Sequence, residues 1–128
     1  MFVESLKSFT DDRGVLYPLN FDEIPFQPKR MFVVSDVPKG VSRGGHAHYE
    51  TEQFLICLKG EIEVLLDDGH ECTSTLLKPM QGVYVPQLTW DSQIFKTGED
   101  VLLVLASTDY NREDYIESSL VFKALKKK

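Results

Sequence analysis

Apolar and polar positions alternate along much of this chain with the period of two that sends successive side chains to opposite faces of a β-strand. Arg30-Met31-Phe32-Val33-Val34-Ser35 is a dense β-branched and aromatic run, Glu52 to Leu58 predicts a second strand, and Glu61-Ile62-Glu63-Val64-Leu65-Leu66 alternates charged with apolar residues before turning apolar. Glu71 to Leu77, Val83-Tyr84-Val85 and Leu88 to Phe95 follow. Val101-Leu102-Leu103-Val104-Leu105-Ala106 is apolar without interruption, as expected of a strand buried on both faces. Turn chemistry separates these blocks: Val37-Pro38-Lys39-Gly40, Lys59-Gly60, Asp67-Asp68-Gly69-His70, Lys78-Pro79-Met80-Gln81-Gly82, Pro86-Gln87 and Lys96-Thr97-Gly98-Glu99-Asp100. Nearer the start, Asp11-Asp12-Arg13-Gly14 leads into Val15-Leu16-Tyr17-Pro18-Leu19, a hairpin or two strands joined by a turn. Strands every eight to twelve residues predict an antiparallel sandwich or barrel. Helix is expected only over Ser118 to Lys127, where Leu120-Val121, Ala124 and Leu125 form a short apolar stripe.

The 128 residues fit one domain, 1–128, with no internal repeat. A net charge of −6 and a pI near 5.0 supply no basic field for nucleic acid or anionic lipid, and Lys126-Lys127-Lys128 reads as a solvated tail. The opening Met1-Phe2-Val3-Glu4-Ser5-Leu6-Lys7 lacks the basic-then-apolar layout of a signal peptide, and no apolar run approaches ~18 residues. A cytoplasmic protein without membrane contact is expected. Cys57 and Cys72, in no C-x-x-C pair, read as ordinary thiols.

Chemistry concentrates in Arg43-Gly44-Gly45-His46-Ala47-His48, which holds two of the three histidines. In an extended segment, residues at i and i+2 share a face, so both imidazoles would line one cavity wall. The arginine offers a cation, and the glycines offer room for a ligand to approach the backbone. The third histidine, His70, lies in a turn and is expected to be exposed.

Gly40, His46, His48, Glu52 and Gly60 stand as G-x5-H-x-H-x3-E-x7-G, which resembles the first motif of the cupin superfamily. That resemblance implies an all-β fold, a double-stranded β-helix or jelly-roll barrel, to which the residues add the short C-terminal helix. In many cupins the two histidines and the glutamate bind a metal together with a histidine from a second motif. In this chain the second motif is partial: Gly82, Pro86 and Trp90 are present, Leu88 replaces a glycine, and Asp91 stands where the fourth ligand would be. A metal site is left with His46, His48, Glu52 and at best an aspartate.

The R-G-G-H-A-H block, taken with Glu52-Gln53-Phe54-Leu55-Ile56, Val101 to Ser107 and Asp114-Tyr115-Ile116, is similar to the nucleotide-sugar 3,4-ketoisomerases. These are metal-free cupins acting on dTDP-4-keto-6-deoxyglucose, and the similarity runs in order over the whole chain. It implies conversion of a 4-keto to a 3-keto sugar, on the way to 3-amino-3,6-dideoxyhexoses of the kind found in lipopolysaccharide. It also implies a homodimer that exchanges N-terminal strands, and it carries the family's paired catalytic histidines onto His46 and His48. The chemistry suits them. A carbonyl at C4 acidifies the C3 hydrogen, so one base working at carbon and one group moving a proton between oxygens suffice, with no cofactor or metal. His46 is assigned to carbon and His48 to oxygen, an order that is open to reversal.

Five further residues are candidates for substrate contact. Arg43 is placed to hold a phosphate or polarise the carbonyl. Arg13 or Tyr17, capping the cavity mouth, and Asp91 across it are expected to touch the sugar and influence which face of C4 is protonated. Trp90 is a candidate for stacking on a sugar or thymine ring, against the alternative of core packing. Three other readings compete: a 3,5-epimerase-like cupin, a metal-dependent cupin such as a dioxygenase, and a non-catalytic sugar-binding module.

Overall fold

The structure is a computed structural model that describes residues 3–127. Twelve strands appear among the described residues: β1 (Val3–Ser5), β2 (Phe9–Asp11), β3 (Gly14–Leu16), β4 (Arg30–Ser35), β5 (Ser42–His48), β6 (Gln53–Lys59), β7 (Ile62–Asp67), β8 (Cys72–Leu77), β9 (Gln81–Val85), β10 (Trp90–Phe95), β11 (Val101–Ala106) and β12 (Tyr115–Ile116). One α-helix, α1 (Ser119–Lys126), follows. No described helix is long and apolar enough to cross a membrane.

Two five-stranded sheets, ordered β1-β9-β6-β11-β4 and β12-β5-β10-β7-β8, pair antiparallel throughout, and β2 with β3 forms a separate ribbon. This is the jelly roll that the alternation and the resemblance predict. Non-consecutive neighbours such as β5 with β10 and β6 with β11 bring residues some 45 positions apart into register, which no local pattern encodes. Inward side chains of both sheets, among them Leu55, Cys57, Ile62, Val64, Leu77, Val83, Phe95, Leu102 and Val104, fill the space between them. At one end the inward positions turn polar: β6 begins with Gln53, and β10 carries Asp91 and Gln93 before Phe95. The barrel therefore has an apolar floor and a polar mouth.

β11 is covered on both sides as its composition predicts. Leu102 and Val104 face the interior, while Leu103 and Leu105 meet Phe54, Ile56, Ile24, Leu19 and Phe26 on the outside. Two boundaries differ from expectation. Gln81 and Gly82, read as loop, pair with Cys57 and Ile56 as the start of β9, and Leu88 and Thr89 lie outside β10.

α1 begins where Ser118 accepts a hydrogen bond from the Val121 N–H at 3.3 Å, an N-cap. Its packing face differs from the predicted stripe. Phe122 is buried against Ala47, Ile116, Leu88 and Trp90, whereas Leu120 is 76% exposed and Val121 and Leu125 also face outward. One aromatic ring reaches a buried seat that the smaller aliphatic residues do not fill. Both cysteines are free, Cys57 buried and Cys72 exposed, and His70 is exposed.

The β6–β7 turn depends on a buried carboxylate. Asp100 accepts hydrogen bonds from the Glu61, Thr97 and Gly98 N–H groups at 2.8, 3.0 and 3.0 Å and from the Thr97 hydroxyl at 2.7 Å. Gly60 faces it with φ of +83°, and a Cβ there would enter the carboxylate and lie 2.9 Å from the Asp100 Cα. Gly60→Ala is expected to destabilise the protein by roughly 2 kcal/mol or more. Urea unfolding with an unchanged m value tests this, and an unaltered midpoint would refute it.

Candidate active site

The R-G-G-H-A-H block is β5, held between β12 and β10. Its pairing with β10 slips by one residue: Asp91 lies opposite His46, but Ser92 lies opposite Gly44 and Gln93 opposite Arg43. Gly45 is thus the extra residue of a β-bulge, and the phase of the strand changes across it. Strict alternation would turn Arg43 away from the face that His46 occupies. The bulge returns it to that face, beside Gln93.

Glycine is required here for two reasons. Gly44 and Gly45 have φ of +83° and +78°, and a Cβ on Gly44 would sit 3.1 Å from the Asp91 carbonyl, the Ser92 Cα and the Gln93 amide nitrogen. Gly44 does line the cavity, as expected of a residue that gives a ligand room, but its tightest neighbour is β10. After β9, Leu88 takes the place of the cupin motif's glycine and still adopts φ of +55°, its N–H donating to the His48 carbonyl at 2.7 Å.

His46 and His48 share a face, their ring centroids 5.0 Å apart and edge-on. Tyr115 of β12, opposite His48, completes a three-ring cluster at 4.9 Å from His46 and 4.4 Å from His48. Asp114 fixes β12 in place by accepting from the Glu50 N–H at 2.8 Å, the Thr51 N–H at 3.1 Å and the Thr51 hydroxyl. Removal from water pushes both imidazole pKa values down. His48 falls to about 4, with the neighbouring His46 as a second cause, against the opposing pull of Asp114. Both rings are therefore neutral at pH 7.

A cavity of about 430 Å³ opens in front of His46, which lines it; His48 is sealed behind. Asp91 faces His46 across the cavity wall, with Oδ1 3.9 Å from Nε2. It is 1% exposed, and its Oδ2 accepts from Gln93 Nε2 at 3.0 Å while Oδ1 has no hydrogen-bond partner among the described residues. Burial lifts its pKa to about 7, only partly offset by the Gln93 hydrogen bond. Arg43 also lines the cavity, as do Arg30, Tyr110, Tyr115 and Glu117. The Arg30 guanidinium lies 4.7 Å over Phe32 and 5.3 Å over Tyr110.

Three expected contacts are absent from this cavity. Trp90 neighbours Asp91 in sequence and so points to the opposite face, where its half-buried ring packs 5.7 Å from Phe122, away from this cavity. Arg13 and Tyr17 do not line the cavity. Arg13 is tied to Asp11 at 2.7 and 2.8 Å in the β2–β3 turn, and Tyr17 follows that exposed ribbon. Glu52 turns to the outer surface and accepts from the Tyr84 hydroxyl at 2.5 Å, away from the histidines. The metal set suggested by the first cupin motif is not assembled, and no cluster of three potential ligands occurs among the described residues. Arg30, Gln93, Tyr110 and Tyr115 were not foreseen. Arg30 and Gln93 had a signal, since each shares the strand parity of inward neighbours, and Tyr115 stood in a block that carries the family resemblance; Tyr110 had none.

Comparison with known proteins places these features in context. The family model FdtA, described as WxcM-like, C-terminal, matches residues 1–127. The TDP-4-oxo-6-deoxy-α-D-glucose-3,4-oxoisomerase of Aneurinibacillus thermoaerophilus is 37% identical over 123 residues, covering 94% of this chain and 88% of that protein. QdtA, a sugar 3,4-ketoisomerase from Thermoanaerobacterium thermosaccharolyticum solved with TDP, superposes with a TM-score of 0.92 at 34% identity, over 98% of this chain and 93% of its own. A histidine-to-asparagine variant of QdtA, solved with TDP-4-keto-6-deoxyglucose, matches at 33% identity over the same shares, also with a TM-score of 0.92.

A carboxyl group whose pKa is higher in the folded than the unfolded chain destabilises the fold progressively as pH rises between the two values. For Asp91 that window runs from 3.8 to about 7. Asp91→Asn, which keeps the Gln93 contact, is expected to stabilise the protein by on the order of 3 kcal/mol at pH 8 and by little near pH 4. Thermal melts at the two pH values test this; equal shifts at both would refute it.

Proposed function

The chain belongs to the FdtA family, and on that premise we propose that it is an isomerase converting a dTDP-linked 4-keto-6-deoxyhexose to the 3-keto sugar. The observation that carries the reading is a neutral His46 facing a cavity, edge-on to His48 and 3.9 Å from a buried carboxyl oxygen. A neutral imidazole is what removal of the acidified C3 hydrogen needs, and returning that proton to C4 leaves the ketone at C3. His46 is the carbon base, and His48, sealed behind it, packs edge-on against that ring and holds it in place. Arg43 and Arg30, the cations of the cavity, suit a diphosphate. Asp91 contacts the sugar. The proton moves between positions on one substrate, so no cofactor is required. Both sheets serve one cavity, and the whole chain acts as one cupin domain. A cytoplasmic location and a product destined for lipopolysaccharide belong to the same reading and rest on the substrate class.

The active form in this reading is a homodimer with exchanged N-terminal strands. The β2–β3 ribbon exposes Phe9 by 62% and Leu16 by 64%, with Val15 and Tyr17 beside them. β4 is a sheet edge whose outer residues Met31 and Val33 are also exposed, and its inner residues Arg30, Phe32 and Val34 line the cavity. A partner's ribbon laid along β4 covers apolar surface on both sides and carries Arg13 and Tyr17 to the cavity mouth. Leu16→Glu is expected to shift the protein to a monomer in sedimentation equilibrium, and a dimer of undiminished affinity would contradict the arrangement.

Incubation with dTDP-4-keto-6-deoxyglucose, followed by NMR of the product, tests the activity. A carbonyl moved from C4 to C3 is expected, whereas inversion at C5 with the ketone in place would identify an epimerase. His46→Asn is expected to lose at least ~100-fold in turnover. The acid limb of the wild-type profile should lie below pH 6.5, the ordinary imidazole value, because burial lowers the His46 pKa. Full activity in His46→Asn would overturn the assignment.

A further inference from the structure

Proton transfer at oxygen needs a group that touches the substrate. His48, the sequence's candidate for that task, is buried behind His46 and Tyr115 and does not line the cavity. Asp91 does line it, and its Oδ1 is a buried polar side-chain atom without a partner among the described residues. An unpaired polar atom in such a place costs stability and is kept where a ligand completes it.

We propose that Asp91 is the oxygen-side proton carrier of the isomerisation, with Gln93 as the residue that positions it. The assignment rests on the isomerase reading above. Gln93 Nε2 donates to Oδ2, so Oδ2 is the acceptor and the acid proton resides on Oδ1, the oxygen 3.9 Å from His46 Nε2. His46 Nε2 and Asp91 Oδ1, 3.9 Å apart, present a carbon base and an oxygen acid to one C3–C4 unit.

The protons balance. His46 takes the C3 hydrogen, the C–H electrons form the C3–C4 double bond, and the carbonyl electrons move to O4, which takes the proton of Asp91. The intermediate is a neutral enediol between an imidazolium and a carboxylate. Asp91 then receives the O3 proton as the C3 carbonyl forms, and His46 returns its proton to C4. O3 and O4 of a cis-enediol are neighbours, so one carboxyl oxygen serves both. Both groups end as they began.

The surroundings keep the carboxyl neutral before the reaction. His46 and Arg43 face it from β5, Arg30 from β4, and Tyr110, Tyr115 and Glu117 from the segment around β12, while β6, β7 and β11 bring Gln53 and apolar side chains. Among the described residues its one ion-pair partner within 4 Å is His46, whose own pKa burial lowers. Burial therefore dominates, and the acid form persists to about pH 7.

The test is the pH profile of kcat/KM for the wild type, Asp91→Asn and Gln93→Leu, with deuterium uptake at C3 followed by NMR in heavy water. The wild type should lose activity as pH rises through about 7, where Asp91 ionises. Gln93→Leu removes a hydrogen bond to the carboxylate and should move that limb to higher pH. Asp91→Asn should abolish the limb and lower kcat at least ~100-fold, with KM little changed and C3 exchange reduced far less than ketone transfer. A wild-type profile without the limb, or Asp91→Asn within about threefold of wild type, overturns the proposal and leaves the isomerase reading intact. The wild-type profile decides alone should Asp91→Asn fail to fold. A wild type that does not move the ketone removes the isomerase reading itself, and the proposal with it.

Discussion

The site depends on how β5 pairs with β10. A single extra residue, Gly45, shifts the register between Asp91 and Ser92, and two consecutive glycines with positive φ make the shift possible. Its consequence is chemical. Arg43 and His46, three apart, reach one face of the barrel, opposite Gln93 and Asp91, which are two apart. Without the bulge the cavity would lose either Arg43 or His46.

Around that pairing the barrel separates two solvents. Inward residues of β6, β7, β9 and β11 make a floor from which water is excluded, and the polar residues of β5 and β10 stand on it. The same burial lowers the pKa values of His46 and His48 and lifts that of Asp91 to about 7, so both kinds of group lean towards their neutral forms. Such groups weaken the fold, since an unpartnered carboxyl oxygen gains nothing until a substrate arrives. Asp100 and Asp114 show the contrast: both are buried, both saturate backbone N–H groups, and both serve architecture by fixing the β6–β7 turn and β12.

The outer surface is also divided. The segment 19–26 covers one flank of the first sheet, and α1 seats Phe122 on the second. β4 keeps an open edge next to the cavity, and the apolar β2–β3 ribbon stands exposed. These two exposed apolar edges are the surface on which the proposed dimer rests.

Strand order in sequence, the antiparallel barrel, the double burial of β11 and the shared face of His46 and His48 were all legible in the residues, because alternation and turn chemistry act locally. The motif also located Asp91 as the residue opposite the histidines. Tertiary structure decided what needs a partner from elsewhere in the chain. Alternation turned Trp90 to the outer face, against Phe122, because Asp91 took the cavity face, and Glu52 found Tyr84 on the outer surface. Tyr110 and Tyr115 entered the site through long-range packing, and Phe122 outcompeted the predicted aliphatic stripe. Gln93 gained its meaning only from the carboxyl it holds. Local sequence sets which way a side chain points relative to its neighbours; register between distant strands sets what it meets, and burial then sets its charge.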